Sequence, residues 1–371
     1  DLALRTGYDY RDFNARYFYT ASPFDDATET VSAWWNQMRL QRSSENSITT
    51  IKGSFKRNSD EYVFNPNVPA NKHTTTLGSL QMYQYRKLAP EWDMSFGAQL
   101  DNRRIRSTDR GDHNNWHYAG FTMLQWQPTN PFTVSGSLRL DHDENYGTEL
   151  MPQLSFSYQQ ERWILRASGG RSVRAPSFTE RFISSNLTGS LAEGRNLGNP
   201  WLQAERSWSG ETGMDLFPWK NVRFSATGFV RESTNLIDYA MTNANQIRND
   251  ENLQTGGNYL YAQNINNVTT AGLETEITVS QNLANNWLFN GTLGYAFTDF
   301  YGDEDVASKY ISNYARHLVN GIVSVSHGPV EGSVSTVWKK RQATQNANIN
   351  AFRSSVYSLW NVKLNYEITQ Q

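Results

Sequence analysis

Every second residue is apolar along segment after segment of this chain. Trp92, Met94, Phe96, Ala98 and Leu100 fall on one side of a strand, and Asp93, Ser95, Gln99 and Asp101 on the other. Phe132 to Leu140, Val222 to Val230, Leu273 to Val279, Trp287 to Phe297 and Val362 to Ile368 repeat the pattern. Such alternation marks strands with one apolar and one polar face. About sixteen strands can be counted, many of ~10–16 residues, against ~5–6 in globular proteins. A strand crossing a bilayer at ~45° needs ~9–11 residues. The expected fold class is all-β: a transmembrane, antiparallel, up-and-down β-barrel.

The connections strengthen this reading. Short ones fall near Ser44–Asn46, Leu88–Glu91, Gln127–Pro131, Gln159–Arg162, Phe217–Asn221, Gln281–Asn286 and His327–Val330. Longer ones fall near Ala21–Thr28, Val63–His73, Arg103–Asn114, Ser172–Ala204, Ser233–Asn258, Tyr301–Asn313 and Arg341–Ser354, with a shorter member at Asp143–Thr148. Short and long alternate, as they do in outer-membrane barrels, where periplasmic turns are tight and extracellular loops long. Aromatics such as Trp34, Trp92, Trp116, Trp126, Trp163 and Trp208 sit near strand ends, where a headgroup layer satisfies both ring and polar tip. No apolar run approaches the ~18–20 residues of a transmembrane helix. The mean hydropathy of −0.67 fits strands diluted by lumen-facing residues and wet loops. A net charge of −2 and the absence of cysteine argue against a nucleic-acid partner, a disulfide framework and a thiolate centre.

The most specific stretch runs from Arg166 to Asp215. It reads RASGGRSVRAPSFTERF, about fifteen loop residues, then GNPWLQAERSWSGETGMD. It resembles the barrel of TonB-dependent outer-membrane receptors, in which a strand ends in Arg-Ala-Pro and an Asn-Pro-x-Leu-x-x-Glu segment leads into the next. Arg174, Ala175 and Pro176 match the first part; Asn199, Pro200, Leu202 and Glu205 match the second. Asn264–Glu276 resembles a family strand start, an Asn followed eight residues later by Gly-x-Glu. With Asp12–Thr20, these stretches look most similar to the cobalamin-receptor-like branch of Bacteroidetes-type bacteria. The resemblance implies a twenty-two-stranded barrel of the bacterial outer membrane, filled by an N-terminal plug and driven by TonB. The chain, 1–371, then reads as one partial barrel domain, with plug, about four early strands and about two late strands absent.

A physical reading stands beside the resemblance. Pro176 cannot donate to a ladder, so its strand should stop there, and Asn199–Pro200 is a turn signal. Arg171, Arg174, Glu180, Arg181, Glu205 and Arg206 are placed to pair across the base of the loop, which makes the motif residues structural. Ligand-facing positions are expected on the long loops at Asn186, Arg195, Trp201, Tyr259 and Tyr261.

No catalytic constellation is found, and the chain does not read as an enzyme. His113 and His117 lack a third metal ligand, so the histidines are expected to be solvated. No His lies between Pro176 and Asn199, where the family's heme receptors carry one. The acidic clusters Asp25–Asp26, Asp141–Glu144 and Asp303–Asp305 lack EF-hand spacing; loop Ca²⁺ is the one cofactor they suggest. Glu274 and Glu276 fit a polar lumen wall.

The resemblance implies TonB-dependent uptake of a large, scarce solute, with a corrinoid such as cobalamin first and a ferric siderophore second. Its partners would be outer-membrane lipid, TonB through the plug segment, and a surface lipoprotein lid. Two other readings stand: a closed sixteen-stranded passive porin, and a barrel serving a surface lipoprotein or secretion complex.

Overall fold

The computed structural model describes residues 1–19, 22–248, 251–265, 267–302, 314–341 and 354–368. The wall is one sixteen-stranded sheet in which every strand is antiparallel to its neighbours. Its strands are β1 (Leu2–Asn14), β2 (Thr28–Ser44), β3 (Ser47–Val63), β4 (Asn71–Ala89), β5 (Trp92–Ser107), β6 (Gly111–Thr129), β7 (Phe132–Asp143), β8 (Gly147–Gln159) and β9 (Trp163–Arg174). They continue with β11 (Glu205–Trp219), β12 (Val222–Thr234), β15 (Val268–Asn282), β16 (Trp287–Gly302), β17 (Ala315–His327), β18 (Val330–Arg341) and β19 (Val356–Tyr366). The order follows the chain, and β1 and β19 form the two edges. No helix among the described residues is long and apolar enough to cross a membrane.

Register keeps the two faces in step. Leu100 of β5 lies opposite Tyr118 of β6, which lies opposite His142 of β7. Large apolar side chains on the outer face stay open, Leu80 at 50%, Leu138 at 49% and Leu154 at 60% exposure. In water such a surface would aggregate; against lipid chains it is solvated. The inner face carries the polar set, including Gln99, Asp101, His117, Arg139 and Asp141.

All seven expected tight connections close one end, with two residues between β2 and β3 and two between β4 and β5. At the other end one expectation changes. Arg103–Asn114 is a hairpin, with strands running to Ser107 and from Gly111 around a three-residue turn. Arg104 holds Asp112 across it through two hydrogen bonds of 3.0 and 2.7 Å, and Gly111 supplies the left-handed φ of 81° the turn requires. Tyr301–Asn313 and Arg341–Ser354 lie almost wholly outside the described residues, as does the Asp303–Asp305 cluster.

Two of the long connections are folded units. The β9–β11 connection contains α1 (Phe178–Phe182) and β10 (Asn196–Leu197); the β12–β15 connection contains β13 (Leu236–Asn243) and β14 (Asn258–Ile265). Together they make a three-stranded sheet in the order β10-β14-β13. Most of the buried apolar residues sit here. Leu191, Leu197, Ala244, Ile247, Tyr259 and Tyr261 form one cluster, and Leu202, Ile237, Tyr239 and Ala262 another. The wall itself needs no such core, because lipid covers its apolar side.

One ladder is incomplete. β7–β8 and β9–β11 each pair over twelve rungs, but β8–β9 pair over only seven, from Gln159/Ile164 to Gln153/Gly170. Pro152, which has no N–H to give, stands where the pairing stops. Beyond it Glu149 of β8 bridges the gap by accepting from Arg171 of β9 (2.6 Å) and Arg206 of β11 (2.7 Å), and Arg171 also donates to the Leu150 carbonyl.

Candidate functional site

The loop end gathers the side chains the sequence singled out. Pro176 ends β9, and Ser177 caps the short helix that follows. Its hydroxyl accepts from Glu180 N–H while the Glu180 carboxylate accepts from Ser177 N–H, a reciprocal capping box. Glu180 is thereby fixed beside Arg174, whose Nη1 reaches it at 3.0 Å. The same guanidinium grips Glu205 in two bonds, Nε–Oε2 at 2.7 Å and Nη2–Oε1 at 2.5 Å. Hydrogen bonding to Glu205 raises the Arg174 pKa above the ordinary guanidinium value. Glu205 is 5% exposed and also accepts the Ile237 N–H at 2.7 Å, so one carboxylate joins β9, β11 and β13.

The second half of the motif acts likewise. Asn199 donates to the Ala262 carbonyl at 3.0 Å and accepts from Trp201 N–H; Leu202 packs with Ile237, Tyr239 and Ala262. Asn264 imitates a strand neighbour, accepting the Gln203 N–H at 2.8 Å and donating to the Gln203 carbonyl at 2.9 Å. Eight residues on, Gly272 leaves no room for a Cβ beside Phe229 and Phe297. These residues assemble the loop unit.

The unit leans onto two neighbouring hairpins. Asp109, in the β5–β6 turn and 4% exposed, accepts the Ser184 N–H at 3.2 Å and faces Arg195 at 3.9 Å; its carbonyl accepts the Asn186 N–H. The Asn186 side chain donates to the Thr108 carbonyl at 3.0 Å. His113 stacks on Phe182 with ring centroids 3.5 Å apart. Arg181 reaches Asn145 in the β7–β8 turn and the Pro200 carbonyl, and burial lowers its pKa from the usual value. Burial also raises the Tyr146 pKa, with Asp141 and Asp143 adding to it.

The five residues expected to face a ligand therefore divide. Tyr259 is fully buried, its hydroxyl donating to Leu191 and accepting from Gln254 N–H; Tyr261 is 8% exposed in the same cluster. Both are core residues of the loop unit, carried by strand β14 where the sequence pattern predicts a loop. Asn186 and Arg195 tie the unit to the β5–β6 turn. Trp201 alone presents an open ring, 47% exposed, with the Arg248 guanidinium 4.8 Å from its centroid. The solvated-histidine expectation also changes. His117 is 6% exposed in the middle of β6, 3.0 Å from Asp141 and 3.4 Å from Asp101.

A polar rim lies on the inner face near the β1–β2 and β3–β4 connections. Tyr19 donates to Glu29 at 2.8 Å, and burial with that bond raises its pKa to about 12. Asp60 rises to about 6 through burial and then Glu29, against the opposing pull of Arg110. His73 falls to about 4 through burial and then Arg110, whose Nη1 lies 3.2 Å from Nδ1. The carboxylates of Asp25 are engaged by Tyr17 N–H and Ala27 N–H, and Asp143 by Asn115 and Asn145. Among the described residues no group of three His, Asp or Glu is arranged to hold a metal ion.

Two hollows of ≈ 630 and ≈ 420 Å³ lie against outward residues such as Leu80, Leu140 and Leu138, Leu154. They are dimples in the lipid face and unsuited to a polar solute. A third, ≈ 480 Å³, is bordered by inward Ser168, Ser172, Ser209, Glu211 and Arg231 and suits a hydrated one.

A family model described as TonB dependent receptor-like, beta-barrel, matches residues 1–371. Among curated proteins, an iron-regulated outer membrane virulence protein of Vibrio cholerae is 26% identical over 194 residues, covering 50% of this chain and 29% of the relative. The vitamin B12 transporter BtuB of the same organism is 23% identical over 251 residues, covering 64% and 36%. The matched stretches thus cover well under half the length of these relatives. A crystal structure of the siderophore receptor PirA from Pseudomonas aeruginosa superposes with a TM-score of 0.71 at 14% identity, covering all of this chain and 68% of that one.

Proposed function

Since this chain belongs to the TonB-dependent receptor β-barrel family of the bacterial outer membrane, we propose that it forms the wall and extracellular capture surface of an active importer for a large, scarce solute. The observation that carries this reading is the folded loop unit, pinned by Asp109 and Asn186 to a neighbouring hairpin. An ordered polar surface at one barrel end is suited to recognition, where a simple diffusion pore needs an open mouth.

A corrinoid is the first candidate and a ferric siderophore the second. The vitamin B12 transporter and the iron-regulated relative support one each. Exposed Trp201 with Arg248, together with the hydroxyl- and carboxylate-lined inner hollow, offers stacking and hydrogen bonding to a polar macrocycle or chelate. TonB, acting through a plug, would supply energy; a surface lipoprotein lid would be an accessory. The closed porin reading needed a ladder between the first and last strands, and the sheet is open between β1 and β19.

Calorimetry of the native full-length protein against cyanocobalamin and against a ferric siderophore tests the assignment. Micromolar or tighter binding of cyanocobalamin supports the corrinoid reading. Binding of the siderophore alone transfers it to iron, and binding of neither removes both.

A further inference from the structure

The outer face carries a cationic patch where the apolar band ends, resting on the outer-membrane assignment. On β5 the outward residues run Trp92, Met94, Phe96, Ala98, Leu100, Asn102, Arg104 and Arg106. Twelve residues separate Trp92 from Arg104; at ~3.3 Å each and a tilt of ~45° that is about 28 Å. An outer-membrane barrel's apolar band is about 25 Å tall, so Arg104 emerges at headgroup level, just beyond Trp116 and Tyr118. The neighbouring strands agree. Arg57 follows Phe55 on β3 and stands beside Trp34 of β2; Lys72 lies outward on β4.

Register assembles these residues. Arg57 pairs with Thr76, and Thr76 with Arg104, so two guanidinium groups flank a hydroxyl across three strands, about 10 Å apart. In the next outward row Ser59, Thr74 and Arg106 align, and the Ser59 and Thr74 hydroxyls meet at 3.2 Å. Arg106 is 65% exposed, Lys72 61% and Arg104 40%. Four cations face two carboxylates, Asp112 and Glu61, and Arg57 has no ion-pair partner among the described residues. Other outward positions at this level differ: Asp12, Glu144 and Glu232 are acidic, and Arg171 and Arg206 are held by Glu149.

We propose that Arg57, Arg104 and Arg106, with Lys72 and the hydroxyls of Thr74 and Thr76, form a docking surface for the phosphorylated headgroup of an outer-leaflet glycolipid. Position selects the partner: the acyl chains lie along Leu80, Leu100 and Tyr118 while phosphate meets the guanidinium groups above them. Arginine gives phosphate paired, charge-assisted bonds, and each basic residue near a charged lipid surface contributes about fivefold in affinity.

The test is native mass spectrometry of the full protein in nonionic detergent, titrated with diphosphoryl lipid A, phosphatidylethanolamine or inorganic phosphate. The wild-type protein should retain lipid A and release phosphatidylethanolamine and free phosphate. Replacing Arg57, Arg104 and Arg106 together by Gln should weaken lipid A about a hundredfold. Arg86→Gln, an outward basic residue near the opposite end, should change nothing. Asp112→Asn, which frees two arginines, should tighten binding, a gain that a merely structural role would not give. If the triple variant loses its heat-modifiable gel shift, Arg57→Gln and Arg106→Gln singly should each cost about fivefold. Retention of lipid A at wild-type affinity by the folded variants overturns the proposal. Equal binding of phosphatidylethanolamine, or of free phosphate at the same residues, overturns it too.

Discussion

Arg174 and Glu205 are opposite residues on the β9–β11 ladder, and they are also the start of the first family motif and the end of the second. The thirty residues between them leave and re-enter the wall at one rung. Glu205→Ala removes the acceptor of both Arg174 and the Ile237 N–H. About 1–3 kcal/mol of local stability should go with it, toward the low end because Arg174 is partly exposed and keeps Glu180. Amide exchange should quicken in β10, β13 and β14 while β4 to β7 hold their protection. Unchanged exchange in the loop unit would refute the scaffold role.

Leu202 is 5% exposed among Ile237, Tyr239 and Ala262. Leu202→Ala should cost about 2–5 kcal/mol and make the loop unit sensitive to limited proteolysis. The wall, which shares no core with it, should keep its thermal transition. Cleavage at the wild-type rate would show that this cluster does not hold the unit together.

Asp60 and His73 should tilt the pH profile in opposite directions. Asp60 keeps its proton to about pH 6, against 3.8 for a free carboxyl, so the stability it lends is present at low pH and fades as pH climbs through about 6. His73 is depressed from 6.5 to about 4, so its contribution is present above 6.5 and is lost as pH falls toward 4. In Asp60→Asn the histidine slope remains and stability should climb from pH 4 to 6.5. In His73→Gln the carboxyl slope remains and stability should fall over the same interval. Thermal midpoints across that range check this, and parallel curves for the two variants would contradict the assignment.

Inward and outward glycines should respond differently to a methyl group. A Cβ on Gly97 would sit 2.5 Å from the Met82 carbonyl and 2.7 Å from Phe121, whereas Gly136 has nothing within 4 Å. Gly97→Ala should destabilise by about 1–3 kcal/mol and Gly136→Ala by under about 0.5 kcal/mol, read from refolding in detergent against urea.

The wall was legible because period-two alternation survives burial in lipid. Leu273, Ile277 and Val279 read as one face and lie on one face, and the tight turns carry their own Gly, Pro and Asn signals. The β5–β6 hairpin escaped because Arg103 to Asn114, Ile105 apart, is polar on both sides. Above the membrane a strand meets water on both faces and loses its period. β13 and β14 escaped for a related reason. Their buried residues, such as Asp238, Tyr239 and Ala240, run consecutively, the mark of a strand covered on both sides, which a short window cannot separate from an apolar loop. Tyr259 and Tyr261 then looked like loop aromatics offered to solvent. Arg174, Glu180 and Glu205 were visible as charges able to pair; Glu149 and Asp109 were not, since nothing local links either to partners twenty or more residues away.

The shortened β8–β9 ladder divides the rim into two leaves. On one side β8 is stitched to β7 over its whole length; on the other β9 carries β11 and, through Glu205, the loop unit. Parting the leaves beyond Gln153 breaks no β8–β9 rung; it breaks the grip of Glu149 on two arginines, the Arg171 bond to the Leu150 carbonyl, and the contacts that pin the loop unit to the β5–β6 and β7–β8 turns. When the mouth changes outline, the distortion should therefore concentrate at this slit, with β9, β11 and the folded loops swinging together like a door hung on the lower, fully laced half of the wall.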